Sequence, residues 1–537
     1  MDSDVNQAPL GASPSPARAA AGMGAAAGVS RVFGGVRMVV IAAVLGTTYL
    51  GNTFQAANSV SNVLFELLAA GALSAVLVPT FVALLARNTP GRAEEVAGRI
   101  LGVALAALGV VTVLGVILAP GLAALLTTGV NDPEVRAAQE ELTTFLLRFF
   151  IPQVLLYAVG AVATAVLHAH RRFVLAALAP VGNTIVLIAT MWLFYSLAGP
   201  DPGFDLTSGE RLTLALGGTL GVVAFVAAPT IGLRVMGFRL RPRLRSVGSD
   251  TEVRQLGRLS GWAALQHSGT GLLLAAALVV AGGVAGGVVA YQLAFVVFLA
   301  PYGLLAQPIF TTALPRLSTA VTHHDHQSFR ATCRWAFDAM AVVTLPAAAL
   351  LIALSAPVMR VLAFGAAQEP PGPQLLGQAC LGLAVGIPVY GVFLLLTRAG
   401  YALGDSRTPA LASVGSALLG ASVMVVAFGM AHGTARLAMI GLGHSVAYAL
   451  GALWLGRRLA PRIGPVLVVG QVRPLILSAV MGLGAWGAMA LWNPVGRWST
   501  VAALAVVGGT AVAIYLGALQ VWGVPSRPSP ASEETLA

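Results

Sequence analysis

Charged and amide side chains lie inside membrane-length apolar sequence between residues 30 and 79, rather than at its edges. Arg31 and Arg37 bracket the start of one hydrophobic run. The next run carries four polar residues three or four positions apart, which places them on one helix face: Gln55, Asn58, Asn62 and Glu66. An ionised side chain in mid-bilayer costs at least about 2.5–3.5 kcal/mol, so such groups usually face water or a polar partner. The pattern predicts the wall of a polar pathway.

The elements that position these residues must be membrane-spanning helices. With 57% hydrophobic and 9% charged residues and a mean hydropathy of +0.85, the chain is too apolar for a water-soluble globule. At about 17–25 residues per span, we predict an all-α integral membrane protein of about 14 helices. The centres of these runs lie near Ala42, Ala72, Gly109, Val159, Leu187, Val223, Leu274, Pro301, Thr344, Gly391, Gly420, Gly443, Gly482 and Val507.

The basic charge is arranged by loop. All 31 basic residues are Arg, and they concentrate in alternate connections, whereas the intervening connections are short or carry acids such as Asp132, Asp201 and Glu369. By the positive-inside rule this alternation predicts that both termini are cytoplasmic. The net charge of +11 is dispersed along one membrane face without interleaved exposed aromatics, so it does not indicate a nucleic-acid partner.

Internal similarity indicates a duplicated unit. SAVLVPTF resembles FTTALPRL, and RRFVLAALAPVGN resembles DSRTPALASVGS, each pair about six helices apart. Many transporters are built from such repeats, with the substrate site between the halves. We predict a disordered cytoplasmic lead over 1–29, a six-helix lobe over 30–236, an Arg-rich cytoplasmic loop over 237–256, a second six-helix lobe over 257–458, two further helices over 459–523 and a disordered tail over 524–537.

Several ordered blocks resemble the MurJ/MviN family of the multidrug/oligosaccharidyl-lipid/polysaccharide exporter superfamily. They are SRVFGGVRMVVIAAVLG, GALSAVLVP, LRFFIPQVLLYAVGAVATAVLHAHRRFVLAALAPVGN, AYQLAFVVFLAPYGLLAQPIFTTALPRLS and RAGYALGDSRTP, which run from Ser30 to about Pro409. The resemblance implies a flippase for lipid II, the undecaprenyl-pyrophosphate-linked peptidoglycan precursor, in the bacterial cytoplasmic membrane. It also implies a V-shaped pair of lobes around a cationic cavity, with a groove for the lipid tail at the last two helices.

The resemblance also implies a set of site residues. Arg31 and Arg37 match two arginines of the family's first helix, and bidentate Arg suits a pyrophosphate. We expect substrate binding at Arg31, Arg37, Asn58, Asn62 and Glu66, with Arg398 as a secondary site. Two alternatives stay open: Arg31 could instead snorkel to the interface, and Asn58 and Asn62 could join helices. No enzyme activity is expected, since no hydrophilic insertion is long enough for a soluble catalytic domain.

The chain departs from the family pattern at several positions. A basic pair is replaced by Phe65 and Glu66, an acid by Ala70, and the cavity arginine of the eighth helix falls on or near Val296. Two other functions therefore remain as alternatives. One is export of a drug-like cation or another polyprenyl-linked saccharide; the other is a transport-inactive paralogue that scaffolds cell-wall or division proteins.

Glu66 and His267 are the candidate coupling residues. Glu66 either forms a structural ion pair, with Arg37 as the expected partner, or carries a coupling proton or sodium ion. Helices seven, eleven and twelve offer serines but neither Asp nor Asn as sodium ligands. We expect no cofactor and no metal site, and coupling to membrane potential, protons or sodium, or none. The expected partners are membrane lipid and the lipid-linked precursor.

Overall fold

The computed structural model describes residues 16–66, 77, 81–82, 91–170, 172–243, 251–464 and 471–522 of the chain. These residues form helices, turns and loops, with no strand. The helices are α1 (Pro16–Leu45), α2 (Tyr49–Phe65), α3 (Arg92–Ile117), α4 (Ala119–Leu126), α5 (Pro133–Phe150), α6 (Gln153–Ala169), α7 (Phe173–Ala177), α8 (Ala179–Ala198), α9 (Ser208–Val235), α10 (Thr251–Gly282), α11 (Gly287–Pro301), α12 (Gln307–Thr322), α13 (His326–Leu362), α14 (Gly372–Ala384), α15 (Ile387–Ala402), α16 (Arg407–Met430), α17 (Arg436–Ile463), α18 (Val472–Trp492) and α19 (Arg497–Trp522).

The all-α membrane fold is confirmed. Within the described ranges, twelve helices are long and apolar enough to cross a membrane, and α14 with α15 adds a thirteenth span that bends by 45°. The predicted run centred on Ala72 lies outside the described residues, apart from its first part in α2 and residues 77, 81 and 82. One span changes helix type along its length, since a π-helical segment, Tyr302–Ala306, joins α11 to α12.

The amino terminus differs from the prediction. Helix α1 is thirty residues long and begins at Pro16. The segment 1–29, which was predicted to be disordered, therefore contains the first turns of this helix. The physical reason is local propensity: Ala is the strongest helix former, and Pro is well tolerated in the first turn. Helix α10 likewise begins at Thr251, inside the loop predicted over 237–256. Residues 244–250 and the tail predicted over 524–537 lie outside the described residues.

Short polar motifs start the helices that follow the connections. Thr207 and Glu210 form a reciprocal capping box at the start of α9. Asp325 accepts hydrogen bonds from the backbone N–H groups of Gln327 and Ser328 at the start of α13. Hydrogen bonding from the Ser328 side chain and backbone, above all, holds the pKa of the Asp325 carboxyl below its usual value. These capping interactions fix the residue at which each of the two helices begins.

The spans pack as two lobes with a peripheral pair of helices. In the first lobe α9 packs on α6 and α8, and α1 packs on α8. In the second lobe α16 packs on α10 and α17, while α14 packs on α13 and α17. Helices α18 and α19 pack against α13 outside both lobes, where Tyr515 donates a hydrogen bond of 3.0 Å to the Val342 carbonyl. The seam between the lobes is formed mainly by α1 and α2 against α10 and α11.

Candidate substrate cavity and the seam between the lobes

A cavity of about 810 Å³ runs along the seam beside α1. Its charged lining consists of Arg31 and Arg37 from the first lobe and Arg398 from the second. The remaining lining is mostly apolar and comes from α1, α11, the π-helical segment, α12, α13 and α15: Gly28, Val32, Gly34, Gly35, Val36, Val39, Leu293, Val296, Val297, Leu299, Ala300, Tyr302, Leu304, Gln307, Phe310, Leu362, Phe364, Tyr390 and Leu394. The three arginines that the sequence predicted separately as site residues thus line one cavity.

Arg37 is the most deeply buried of the three. Its Nε atom is buried and has no hydrogen-bond partner among the described residues. The Tyr157 phenol of α6 acts on it electrostatically and also interacts with Ser61 and Asn62 of α2. A cation held in an apolar wall with unused donors is a strong site for an anion, because low polarity strengthens the attraction.

Arg31 lies over the π-helical segment. A Cβ atom added at Gly303 would overlap the Arg31 guanidinium, so this position must be glycine for the side chain to lie where it does. π-helical turns inside α-helices occur frequently at functional sites. Arg31 itself is exposed, which fits either the cavity role or the interfacial role that the sequence left open.

Arg398 stacks on an aromatic ring. Its guanidinium carbon lies 3.5 Å from the centroid of the Phe310 ring, and both residues line the cavity. The Nη1 atom is buried without a hydrogen-bond partner in the described parts of the chain. Stacking satisfies the face of the guanidinium and leaves its in-plane donors for a ligand. Val296 is an apolar part of the same lining.

The polar stripe of α2 divides into a buried part and an exposed part. Gln55 is 1% exposed and Asn58 is 9% exposed, and both lie in the seam, whereas Asn62 is exposed. Gln55 donates to the sulfur of Met38 at 3.2 Å. None of these amides is part of the cavity lining. The first residues of the stripe are therefore buried between helices, and the stripe becomes exposed to solvent only toward Glu66.

The buried start of α2 seals one end of the seam. Asn52 donates from Nδ2 to the Val284 carbonyl at 2.7 Å and accepts at Oδ1 from the Val288 N–H at 2.9 Å. The Gly286 N–H donates to the Thr48 carbonyl at 3.1 Å. We call this group, Thr48, Asn52, Val284, Gly286 and Val288, the sealed end.

Glycine packing tightens the sealed end further. A Cβ atom built on Gly283 would lie 3.0 Å from the Cα atom of Gly129, so the two lobes meet there backbone to backbone. Sequence analysis did not single out Asn52. Its spacing of three residues before Gln55 extends the polar stripe and is the signal that could have identified it.

The opposite end of the seam has a looser contact. Nδ1 of His267, on α10, lies 3.9 Å from Oε1 of Glu66, and both side chains are partly exposed, 42% and 33% respectively. Among the described residues Arg37 forms no ion pair with Glu66, so the expected partner was wrong and His267 takes its place. Arg37 instead interacts electrostatically with the Tyr157 phenol on α6. We call the Glu66 and His267 pair the open end.

The fold and this site define a class: a polytopic transporter of two helical lobes with a cationic cavity between them. Comparison with known proteins gives the family. The sequence profile described as lipid II flippase MurJ matches residues 41–507, so the chain belongs to the MurJ family of lipid II flippases.

Relatives of known sequence agree with this assignment. The chain is 27% identical over 393 residues to the probable lipid II flippase MurJ of Rhizobium meliloti (strain 1021), a match that covers 71% of this chain and 69% of the relative. It is 25% identical over 520 residues to the corresponding protein of Vibrio cholerae serotype O1, covering 94% and 96%.

Solved structures show the same fold. A lipid II flippase MurJ in an inward closed conformation matches with a TM-score of 0.72 at 17% identity, over 93% of this chain and 98% of that one. An inward-facing multidrug resistance transporter of the MATE family matches with a TM-score of 0.60 at 16% identity, over 80% and 95%. At these identities the likeness concerns the fold alone.

Proposed function

We propose that this protein moves a lipid-linked peptidoglycan precursor of the lipid II type across the cytoplasmic membrane, with the headgroup in the cavity between the lobes. The observation that carries the proposal is the meeting of three arginines from two lobes around one cavity of about 810 Å³. A pyrophosphate offers several anionic oxygens, and arginines around it can each donate two parallel hydrogen bonds. The long lipid tail stays in the bilayer.

The apolar lining supports the same proposal. Charge-assisted hydrogen bonds strengthen where water is excluded, and the cavity walls between the arginines are largely aliphatic and aromatic. Unpaired donors on Arg37 and Arg398 gain partners when an anion enters. Binding therefore relieves a cost that the empty cavity carries.

Alternating access follows from the unequal ends of the seam. We propose that the sealed end faces outward and the open end faces the cytoplasm, with both termini cytoplasmic, because the Arg-rich loops lie on the side of the open end. A cysteine at exposed His432, between α16 and α17, should then react with an impermeant maleimide in intact cells. A cysteine at exposed Arg239 should react only after lysis, and the reverse pattern would overturn this topology.

A cationic cargo is less well supported. That alternative rests on Glu66, whose carboxylate is near His267 and is not part of the lining that holds the three arginines.

We also propose that the Glu66 and His267 pair, which joins the lobes at the open end, breaks and re-forms as the lobes move.

Reconstitution tests the function directly. The full-length protein in liposomes should carry fluorescent lipid II from one leaflet to the other. Arg37→Ala should do so about 10- to 100-fold more slowly, while Arg148→Ala, on a surface outside the cavity lining, should behave as the parent protein. Efflux of cationic dyes without lipid II movement would instead favour the drug exporter. Folded protein that moves neither would favour the scaffold.

A further inference from the structure

A second cavity lies outside the seam, in the first lobe, at the end of α9. Its volume is about 720 Å³, and α3, α6, α9 and residues 237–242 enclose it. Three arginines line it: Arg234, Arg239 and Arg241. The rest of the lining is mainly apolar and includes Leu101, Val159, Leu233, Phe238 and Leu240. We call this space the α9 cavity.

The arginines lie at and beyond a sharp end of α9. Gly237 has a φ of +76°, a left-handed conformation in which its N–H donates to the Arg234 carbonyl at 3.0 Å. Beyond this glycine, Phe238 is buried, whereas Arg239 and Arg241 are both exposed. This alternation matches an extended chain, in which Arg239 and Arg241 share one face.

Helix α3 fixes the backbone that carries these arginines. The Glu94 carboxylate accepts a hydrogen bond of 2.9 Å from the Arg239 N–H, and the Gly98 carbonyl accepts one of 2.9 Å from the Arg243 N–H. A Cβ atom built on Gly98 would overlap the Arg241 carbonyl oxygen, so the segment lies directly against the helix backbone. The backbone of the arginines is therefore held in one position, although their side chains are exposed.

The guanidinium groups of Arg234, Arg239 and Arg241 are available to a ligand. In the part of the chain that the structure describes, none of them forms an ion pair or a side-chain hydrogen bond. No acid among the described residues lines the cavity, and Glu95 on α3 pairs with Arg99 at 2.6 Å. Three cations without an acid favour a ligand of net negative charge, because a zwitterionic headgroup would leave its ammonium group without a partner.

The α9 cavity lies where the lipid-facing surface of a span meets the arginines. Ile231 and Val235, in the last turns of α9, are 56% and 82% exposed, and in a membrane-spanning helix such apolar surface contacts lipid. Arginine side chains at such positions extend into the headgroup region. The positive-inside rule accounts for arginines on this side of the membrane, but it requires neither a shared cavity nor a fixed backbone.

We propose that the α9 cavity binds the headgroup of an anionic phospholipid from the cytoplasmic leaflet. The phosphate accepts charge-assisted hydrogen bonds from the three guanidinium groups, and the apolar lining contacts the glycerol and the first acyl carbons. Basic pockets between membrane helices on the cytoplasmic side are suited to such headgroups. The leaflet follows from the proposed topology, whereas the binding itself does not depend on what the cavity between the lobes transports.

Quenching by brominated lipids tests the inference at the cavity itself. Full-length protein with Cys333 and Cys380 changed to Ala carries a fluorophore at Val235→Cys, in nanodiscs of phosphatidylcholine and phosphatidylglycerol. Comparing quenching by brominated phosphatidylglycerol with quenching by brominated phosphatidylcholine gives the local enrichment of the anionic lipid. We expect clear enrichment at Val235→Cys and much less at Leu453→Cys, a 49% exposed position on α17.

The first pair of variants changes the charge. Each arginine near an anionic membrane surface raises binding about fivefold, so Arg239→Gln with Arg241→Gln should lower the enrichment by up to about 30-fold. Arg457→Gln with Arg458→Gln removes the same charge from exposed positions near the end of α17 and should leave the enrichment unchanged.

The second pair of variants changes the position of the segment. Gly98→Ala keeps every charge but displaces the segment from α3, because the new methyl group overlaps the Arg241 carbonyl oxygen. It should lower the enrichment severalfold, while Gly109→Ala, with open space around its methyl group, should not. If Gly98→Ala protein does not fold, the two arginine pairs decide the inference alone.

Several results would overturn the inference. Equal enrichment at Val235→Cys and Leu453→Cys, or equal losses in the two arginine pairs, would show that only the general positive charge of this side attracts the lipid. Normal enrichment in folded Gly98→Ala protein would show that the position of the segment does not matter and that no defined site exists. Loss of the enrichment on addition of micromolar inorganic phosphate would show a site for soluble anions instead.

Discussion

The two ends of the seam are held together by different chemistry. At the sealed end, an uncharged amide and backbone groups make hydrogen bonds of 2.7–3.1 Å, in a site where Asn52 is fully buried. At the open end, a carboxylate and an imidazole that are both partly exposed lie 3.9 Å apart. Buried neutral hydrogen bonds are shielded from water, whereas a partly exposed pair of side chains competes with water for its contacts. The difference indicates that the contact between the lobes is more stable at the sealed end and more easily broken at the open end.

The largest effect is expected in the cavity between the ends. Arg37→Ala should reduce lipid II translocation by about 10- to 100-fold, since a hydrogen bond to a charged group contributes about 1.5–3 kcal/mol. Membrane insertion should be unchanged, because removing a buried cation also removes its desolvation cost. The measurement is flipping in liposomes, with Arg148→Ala as control. Normal flipping by Arg37→Ala would make Arg37 a structural residue.

A change at the sealed end should shift the balance between the conformations. Asn52→Leu leaves the Val284 carbonyl and the Val288 N–H without their partner, at a cost on the order of 1–3 kcal/mol for each buried group. We expect the distance between spin labels at Asp201→Cys and His432→Cys, in protein with Cys333 and Cys380 changed to Ala, to move toward a form open at that end. Asn62→Leu, on the same helix but exposed, should not change this distance. Equal effects of the two substitutions would remove the distinction between the ends.

A smaller effect is expected where Arg31 meets the π-helical segment. Gly303→Ala introduces a methyl group where the Arg31 guanidinium lies, so the side chain must move aside. Lipid II affinity should fall severalfold, about 1 kcal/mol, if Arg31 binds the substrate. Gly109→Ala has open space around its new methyl group and serves as control. Unchanged affinity would instead make Arg31 an interfacial anchor.

The smallest effect is expected at the open end. A double-mutant cycle of Glu66→Gln and His267→Gln should give a coupling free energy of about 0.2–1 kcal/mol, as for other exposed pairs. It is measured from the free energies of unfolding in detergent. A coupling free energy of zero would show that the two side chains do not interact.

The sequence predicted the cavity arginines better than their partners. Arg31, Arg37 and Arg398 interrupt apolar runs, and burying a charge is costly enough that each marks a polar space. The stripe on α2 was located correctly on one helix, yet only its last part is accessible. Asn52 and Tyr157 were missed because a single amide or phenol in a membrane helix occurs often without function.

What the sequence by itself determined is the membrane architecture and the family, because hydropathy, helix length and ordered motifs are local properties. What only the tertiary structure decided is which polar groups meet: Arg37 with Tyr157, Glu66 with His267, and Asn52 with the backbone of the second lobe. These pairs lie on different helices, and a few tens of degrees of helix rotation would exchange their partners. Packing of small residues and apolar surfaces between spans sets that rotation, and no single helix sequence encodes it.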